Sequence, residues 1–413
     1  MAHPFSKRIY VAAGYTTAFF GSGRKDFNPK LTLPTFDTYL KETAEGTLSQ
    51  IPNPQIDEGF LGSFMSARFI SQANLPGFLP FMVQQLRYKP CTGIEGACGT
   101  GGRVIATGMR SILSGLADQV FAAGFEIQNT MKALYGADAL AGAAYYQKER
   151  KLGEAFFFPG IFSERAKAYQ RTFDPKLTRE AMAKWYELAI LHARKNPKAQ
   201  EYHNIREDLF GYGMTPPNKD LFVPDLNAAD CSKVSDGAAS VALFSEEGLK
   251  AAGISKKDAV EIVGIGEAEE DITQPPVDLT ELSTCKVAIR KALDQAKISL
   301  SDLSYLEVHD CFSISGLLSL EACGLIPKGH APSYVLEGNT DNKGKLPTNL
   351  SGGLIGFGHP TGATGVRQMV DLLAQLTQKA ENQAPCPSPF AMMISMGGND
   401  KTVTCFIVKR AID

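Results

Sequence analysis

GIEGACGTGG, residues 93–102, sets one cysteine, Cys98, among glycines on both sides. Ile105, Met109, Ile112 and Leu116 follow at helical spacing, so the run reads as a loop that feeds a helix. A second run, GGLIGFGHPTGATG (352–365), repeats the design with His359 in place of the thiol. Val366, Met369, Val370 and Leu373 then carry it on as a helix. A helix N-terminus offers free N–H groups and positive potential, which stabilise a thiolate or an oxyanion and so predict a lowered pKa for Cys98. Two readings stand for each run. The glycines either serve a tight structural turn, or they clear space for a substrate over a reactive group.

Working outward, short apolar runs read as buried strands: IYVAA (9–13), QVFAAG (119–124), SVALF (240–244), EIVGI (261–265), YLEV (305–308) and AMMISM (391–396). Helical patterns lie between them, which predicts an α/β protein with buried, mostly parallel sheets. The order of elements also repeats. Residues 34–125 run helix, strand near IDEGFLGSF, glycine-rich loop, helix, QVFAAGFE, and residues 284–398 run helix, YLEVHDCFS, glycine-rich loop, helix, AMMISMGG. Two similar halves would each bring one glycine-rich helix start to a shared centre. Residues 126–225, charged and helix-prone, read as an insertion on the first half, and 325–348, polar with glycine and proline, as a long surface loop.

Composition narrows the classes. The chain has 413 residues, 44% hydrophobic and 21% charged, with a formal net charge of -2. That balance argues against a general nucleic-acid or anionic-membrane surface, and no apolar run is long enough to span a membrane. RIYVAAGYTTAFF, at 8–20, reads as strand and loop that a cleavable presequence would consume, so none is expected. Eight cysteines without paired C-x-x-C spacing suggest neither a disulfide framework nor a metal site. A reducing compartment is the default, so a cytoplasmic location is expected, with a mitochondrial one left open.

A third stretch, EVHDCFS (307–313), puts His309 and Cys311 just past a buried strand end, the edge of an α/β sheet where active sites gather. Alone, each stretch is as well explained by a buried cysteine, a capping histidine or chance. Together they supply a thiol nucleophile, a base and a second proton carrier.

The set resembles a thiolase of the sterol-carrier-protein type, through ACGTGG, HDCF (309–312), GGLIGFGHPTGATG, GFE (124–126) and SDGAASVALFSEEG (235–248). The match runs in order over nearly the whole chain. It implies two similar α/β halves in five αβαβα layers with an inserted loop domain: 1–125 and 226–255 for the first half, 126–225 inserted, 256–413 for the second. It further implies that Cys98 takes the acyl group as a thioester, His359 activates it, Cys311 exchanges a proton with the substrate α-carbon, and His309 polarises the thioester oxygen. Backbone N–H groups of Cys98 and Gly397 would form a second oxyanion hole, and Ser232 and Phe312 would line the pantetheine channel. Acyl-CoA and coenzyme A are then substrates, no separate cofactor or metal is needed, and a homodimer or homotetramer is expected, with a small partner subunit possible.

The sequence also departs from the family. Most thiolases carry a C-x-G cysteine where this chain has Ser395, and a serine hydroxyl does not ionise near neutral pH, so the acid/base work falls to Cys311. TNLSGG (348–353) and Thr361 also depart, and so does the opening TTAFFGSGRKDFNPK. The expected activity is acyl exchange that makes or cleaves the carbon–carbon bond of a 3-ketoacyl-CoA. A partner-dependent acyltransferase on an unusual acceptor, or a CoA-ester-binding protein with little turnover, are the alternatives.

Overall fold

The strands are β1 (Tyr10–Thr16), β2 (Glu58–Gly62), β3 (Cys91–Ile94), β4 (Gln119–Ile127), β5 (Asp236–Phe244), β6 (Val260–Glu269), β7 (Leu303–Glu307), β8 (Phe390–Gly397) and β9 (Thr402–Arg410). A computed structural model, which describes residues 4–151 and 154–411, orders them β3-β2-β4-β5-β1-β6-β9-β8-β7. The order is nearly palindromic. From the β1/β6 junction, β5, β4 and β2 lead one way and β9, β8 and β7 the other, with the same antiparallel, antiparallel, parallel pairing. A short antiparallel contact, Tyr10↔Glu261 and Val11↔Val260 with the Ile262 N–H donating to the Ile9 carbonyl (2.9 Å), joins the two halves of the sheet.

Helix Phe36–Leu48 packs on the first half-sheet and helix Ser283–Ala296 on the second. Between the half-sheets lie helices Thr100–Ser114 and Thr364–Leu376, each in contact with strands of both halves and with the other. Five αβαβα layers result. The apolar faces read from the sequence are the buried ones: Ile105, Met109 and Ile112 on one central helix, Val366, Met369 and Leu373 on the other. Each such burial contributes about 1.5–3 kcal/mol. Leu116 instead lies beyond Gly115, which ends its helix at φ +81°, and is exposed.

The glycines explain how the central layer closes. A Cβ on Gly101 would stand 2.6 Å from the backbone nitrogen of Val366, and one on Gly365 would stand 2.4 Å from that of Gly102. The two helix starts therefore cross backbone to backbone. Close helix packing, not room for a substrate, is what those glycines serve.

Two expectations need correction, and two strands went unread. The sheet is not mostly parallel, since β2/β3, β2/β4 and β7/β8 are the parallel pairs while β1/β5, β1/β6, β4/β5, β6/β9 and β8/β9 are antiparallel. Continuous apolar strands report burial on both faces, which the helix layers supply, and burial carries no information on direction. β9 and the half-buried edge strand β3 were not read from the sequence at all. The 325–348 stretch is no free surface loop. It holds helix Ala331–Leu336, buries Ala331, Val335 and Leu346, and packs on helix Pro175–Ala193.

Between β4 and β5 the chain runs out through residues 128–235, whose main helices are Phe157–Thr172 and Pro175–Ala193. Asp174 caps the second by accepting from the Leu177 N–H, and Pro175 occupies its first position. Phe162, Tyr169, Met182 and Trp185 from these helices share one core with Leu317, Leu318 and Val335 of the second half. The insertion thus leans across the molecule. Among the described residues no helix is long and apolar enough to cross a membrane.

Candidate active site

Cys98 sits on a short turn, Ala97–Gly99, that enters the first central helix. Ala97 takes a left-handed conformation, φ +52°, which costs a non-glycine residue roughly 1–3 kcal/mol. The turn is held by the Thr100 hydroxyl, which donates to the Ala97 carbonyl (2.6 Å) and accepts from the Gly96 N–H (3.0 Å). The elbow points the thiol into a cavity of about 470 Å³.

His309, beyond the end of β7, and His359, before the second central helix, face the same cavity. Their rings stand 5.2 Å apart at 83°, and Cys98 Sγ and one nitrogen of each ring lie within 4.8 Å of one another. Hydrogen bonds assign the two tautomers. The Thr364 hydroxyl donates to the Pro360 carbonyl (3.2 Å), so its oxygen accepts from His359 Nδ1–H (2.8 Å), and Nε2 keeps a free lone pair. His309 Nδ1 accepts the Met396 N–H (3.4 Å), which leaves the proton on Nε2. One imidazole is a base and the other a donor. A metal would ask all three groups for lone pairs, and His309 Nε2–H offers none, so the donor set fits proton transfer better than a metal ion.

Cys311 follows in the same wall, with its carbonyl accepting the Ser232 N–H at 2.9 Å. Phe312 stacks on Phe162 of the insertion (4.4 Å, 21°), and Ser232 and Phe312 both line the cavity. The structure therefore brings Cys98, Ser232, His309, Cys311, Phe312 and His359 together.

The protonation states are those of a water-poor site. Burial, joined by the Glu126 carboxylate, pushes the Cys98 thiol up to about 12, against the pull of the Gly398 and Cys98 backbone N–H groups. The expected helix-lowered thiol is thus overturned, because desolvation of a thiolate outweighs a few backbone dipoles. Burial, then the Cys98 sulfur, raises Cys311 well above the ordinary thiol range. Burial, then Arg367, lowers His359 to about 3, and burial, then His359 and Arg367, holds His309 well below its usual value. At neutral pH all four groups rest uncharged.

Comparison with known proteins agrees with this geometry. Residues 264–410 match the Thiolase C-terminal domain-like family. Sterol carrier protein 2 of Rattus norvegicus is 30% identical over 98% of this chain and 72% of its own length. The chain belongs to the thiolase superfamily, in the sterol-carrier-protein type. Acetyl-CoA acetyltransferase of Methanothermobacter thermautotrophicus is 28% identical over 91% of this thiolase and 95% of its own length. The solved Ltp2-ChsH2(DUF35) aldolase, 18% identical, superposes with a TM-score of 0.78 over 98% of both chains, a likeness of fold.

In this thiolase Gly397, expected to offer a backbone N–H to the site, is absent from the cavity lining while its neighbour Gly398 is present. Gly397 ends β8 with its α-carbon against Gly96 and Gly99, whereas it is the Gly398 N–H that reaches the Cys98 sulfur and Gly398 that lines the cavity. Gly398 has φ +65°, and a Cβ there would stand 2.7 Å from the Ala143 carbonyl oxygen. Ser395 lies outside the cavity lining. It is fully buried under the helix crossing, 2.7 Å from where a Cβ on Gly365 would lie, and its hydroxyl has no partner.

Glu126, within GFE, carries no task legible in the sequence. The buried carboxylate accepts from the Ser63 hydroxyl (2.8 Å), the Phe64 N–H (2.8 Å), the Thr361 hydroxyl (2.9 Å) and the Gly362 N–H (3.2 Å), and so ties the β2 exit to the His359 loop. Thr361, an oddity in the sequence, is a donor to that carboxylate. Thr364 and Ser235, whose hydroxyl accepts the His359 N–H (2.8 Å), were likewise missed. Thr364 had a signal, since the first residue of a predicted helix is a common place for a hydroxyl.

Proposed function

We propose that this thiolase is an acyl-CoA acyltransferase that cleaves or makes the bond between the α-carbon and the 3-keto carbon of a 3-ketoacyl-CoA. The observation that carries the reading is the pair of opposite tautomers at His359 and His309 around one thiol, with Cys311 in the same wall. In the cleavage direction, Cys98 Sγ attacks the 3-keto carbon while His359 Nε2 accepts its proton. The carbon–carbon bond breaks and its electron pair becomes an enolate, whose oxygen faces His309 Nε2–H. Cys311 gives its proton to the α-carbon, and acetyl-CoA leaves. Coenzyme A then attacks the acyl-Cys98 carbonyl and passes its thiol proton to the Cys311 thiolate. His359 returns its proton as the Cys98 sulfur departs. The Cys98 and Gly398 N–H groups face the tetrahedral oxygens. Because the raised pKa keeps Cys311 protonated at rest, the free enzyme is set to donate to an enolate, which suits cleavage.

The test is thiolysis of 3-ketoacyl-CoA esters of several lengths by the purified chain with coenzyme A, together with mass-spectrometric trapping of acylated Cys98. Turnover with acyl-Cys98 is the expected result. Tight binding of CoA esters without acylation would establish a binding protein instead. A second reading, dependence on a partner subunit, is supported by the fold likeness to the Ltp2-ChsH2(DUF35) aldolase, a protein named with two components. Its mark is silence alone and turnover once a small partner is added. All eight cysteines are free, which supports action in a reducing compartment such as the cytoplasm. Acyl-CoA and coenzyme A are the proposed substrates, and a homodimer or homotetramer is the proposed assembly.

A further inference from the structure

β7 ends at Glu307, two residues before His309, and the second central helix carries Arg367 one turn after Thr364, whose hydroxyl holds His359. Arg367 Nη1 donates to Glu307 Oε2 (2.9 Å), Ser351 Oγ (2.7 Å) and Asp371 Oδ2 (2.5 Å). The side chains of Arg367 and Glu307 are both wholly buried. Glu307 also accepts from the Tyr305 hydroxyl, whose oxygen in turn accepts the Leu350 N–H (3.1 Å). Arg367 Nε and Nη2 have no partner. A buried ion pair is a weak source of stability, often matched by packed apolar residues, and unpaired guanidinium nitrogens make this one weaker still. Its placement is more telling than its strength, for it bolts the strand of one histidine to the helix of the other.

We propose that Arg367 is a positioning residue of the active site: paired with Glu307, it sets the spacing of the two imidazoles and holds a permanent cation behind both. The proposal rests on the reading of Cys98, His309 and His359 as the reacting groups. A guanidinium does not lose its proton in proteins, so the charge is fixed at every working pH. Burial opposes that charge, while Glu307 and Asp371 sustain it. Burial does most to keep both rings neutral, and Arg367 adds to it, because protonating either ring would bring a second cation towards the first. The other ionisable groups facing this cluster are few. Cys98 and Cys311 meet the imidazoles as thiols, and Glu126 reaches the His359 loop through Thr361 and Gly362. Asp310 acts on Glu307, Lys198 acts on Asp371, and Tyr305 bonds Glu307. Arg367 is the only one of these whose charge lowers both imidazoles.

Three variants of the full chain test this: Arg367→Met, which removes the charge, Arg367→Lys, which keeps it, and Glu307→Gln, which loosens the bolt but leaves the cation. The first readout is an NMR titration of the histidine side chains in the free protein, which needs no substrate. Arg367→Met should move both imidazole titrations to higher pH, whereas Arg367→Lys and Glu307→Gln should not. The second is the pH profile of thiolysis. Arg367→Met should acquire an acid limb, with about tenfold loss of kcat per pH unit below the new imidazole pKa and little change in KM. Glu307→Gln should lose about tenfold in kcat evenly across pH, through geometry alone. A folded Arg367→Met whose imidazoles titrate as in the parent, and whose kcat falls equally at every pH, would show a merely structural residue and overturn the proposal. If Arg367→Met does not fold, a parental kcat in Glu307→Gln, or imidazole titrations displaced in Arg367→Lys, overturns it. A chain with no thiolysis at all would sink the proposed function, while the titrations would still decide the role of Arg367.

Discussion

Raising the pH from 7 to 10 in the presence of iodoacetamide separates a pre-ionised Cys98 from one that ionises only as it attacks. The thiol is pushed up to about 12, whereas a free cysteine sits near ~8.5. At pH 8 its thiolate fraction is then about 10⁻⁴, against roughly a quarter for the free amino acid. The more basic thiolate is the better nucleophile, and a Brønsted slope of ~0.4–0.5 over that interval returns a factor of about forty. The net expectation is alkylation of Cys98 slower than a free cysteine by about fifty- to a hundredfold at pH 8, rising about tenfold per pH unit up to pH 10. Glu126→Gln, which removes the neighbouring carboxylate, should speed it. Peptide mass spectrometry of timed quenches follows the single site. A rate that levels off with a midpoint between pH 6 and 8, at a free-thiol value, would mean a standing thiolate–imidazolium pair, and the account of burial given above would be wrong.

Other expectations follow from the same geometry. Gly365→Ala drives a Cβ to 2.4 Å from the Gly102 nitrogen, so it should cost about 1–3 kcal/mol or more and lower the melting temperature by several degrees in calorimetry; an unchanged melting point would contradict the crossing. His359 takes up a proton near ~6.5 when unfolded but only near about 3 when folded, so the unfolded chain binds more protons as pH falls through that window, and stability falls with it. Denaturant titrations at pH 7 and pH 5 should differ by about 2 kcal/mol on account of this residue, and His359→Asn should shrink the difference; an equal difference in the variant would count against a buried neutral imidazole. Cys311→Ala should abolish deuterium exchange into the methyl of acetyl-CoA and slow, without abolishing, acylation of Cys98 by acetyl-CoA, since departing coenzyme A loses its proton donor, while Ser395→Ala should spare both. Ser395→Cys should destabilise the protein without raising turnover, since the residue lies under Gly102 and Gly365 and not in the cavity; gain of exchange there would reverse the assignment.

The sequence showed its periodicities plainly and its three-dimensional coincidences hardly at all. The glycine-flanked Cys98 and His359, and the apolar stripes behind them, predicted two equivalent helix starts, and the structure sets those starts against each other. The strand directions were not legible, because helices on both faces make every strand apolar whichever way it runs. The shift from Gly397 to Gly398 was hidden for a similar reason: two adjacent glycines read alike, and only the left-handed turn against Ala143 tells them apart. Cys98 misled because a helix start speaks for a thiolate in any sequence, whereas the cavity it faces is walled by distant segments, Gln128 and Phe158 among them. Arg367 carried no signal in the sequence, because its burial depends on Glu307 of β7, sixty residues away.

The central layer has a consequence for how the chain can be divided. Each half-sheet owns one of its two faces only through a helix that also leans on the opposite half. A cut in the connection between β5 and β6 would give two fragments, each with a complete outer helix and half-sheet but with one side of its inner helix stripped of its neighbour. On the proposed roles, the fragment carrying Cys98 would hold a nucleophile without a base, and the other a base without a nucleophile. Reactivity in this molecule is therefore a property of the seam: it comes into being when the two pieces close on each other, and a nascent chain that has made only the first half carries a thiol with nothing to take its proton.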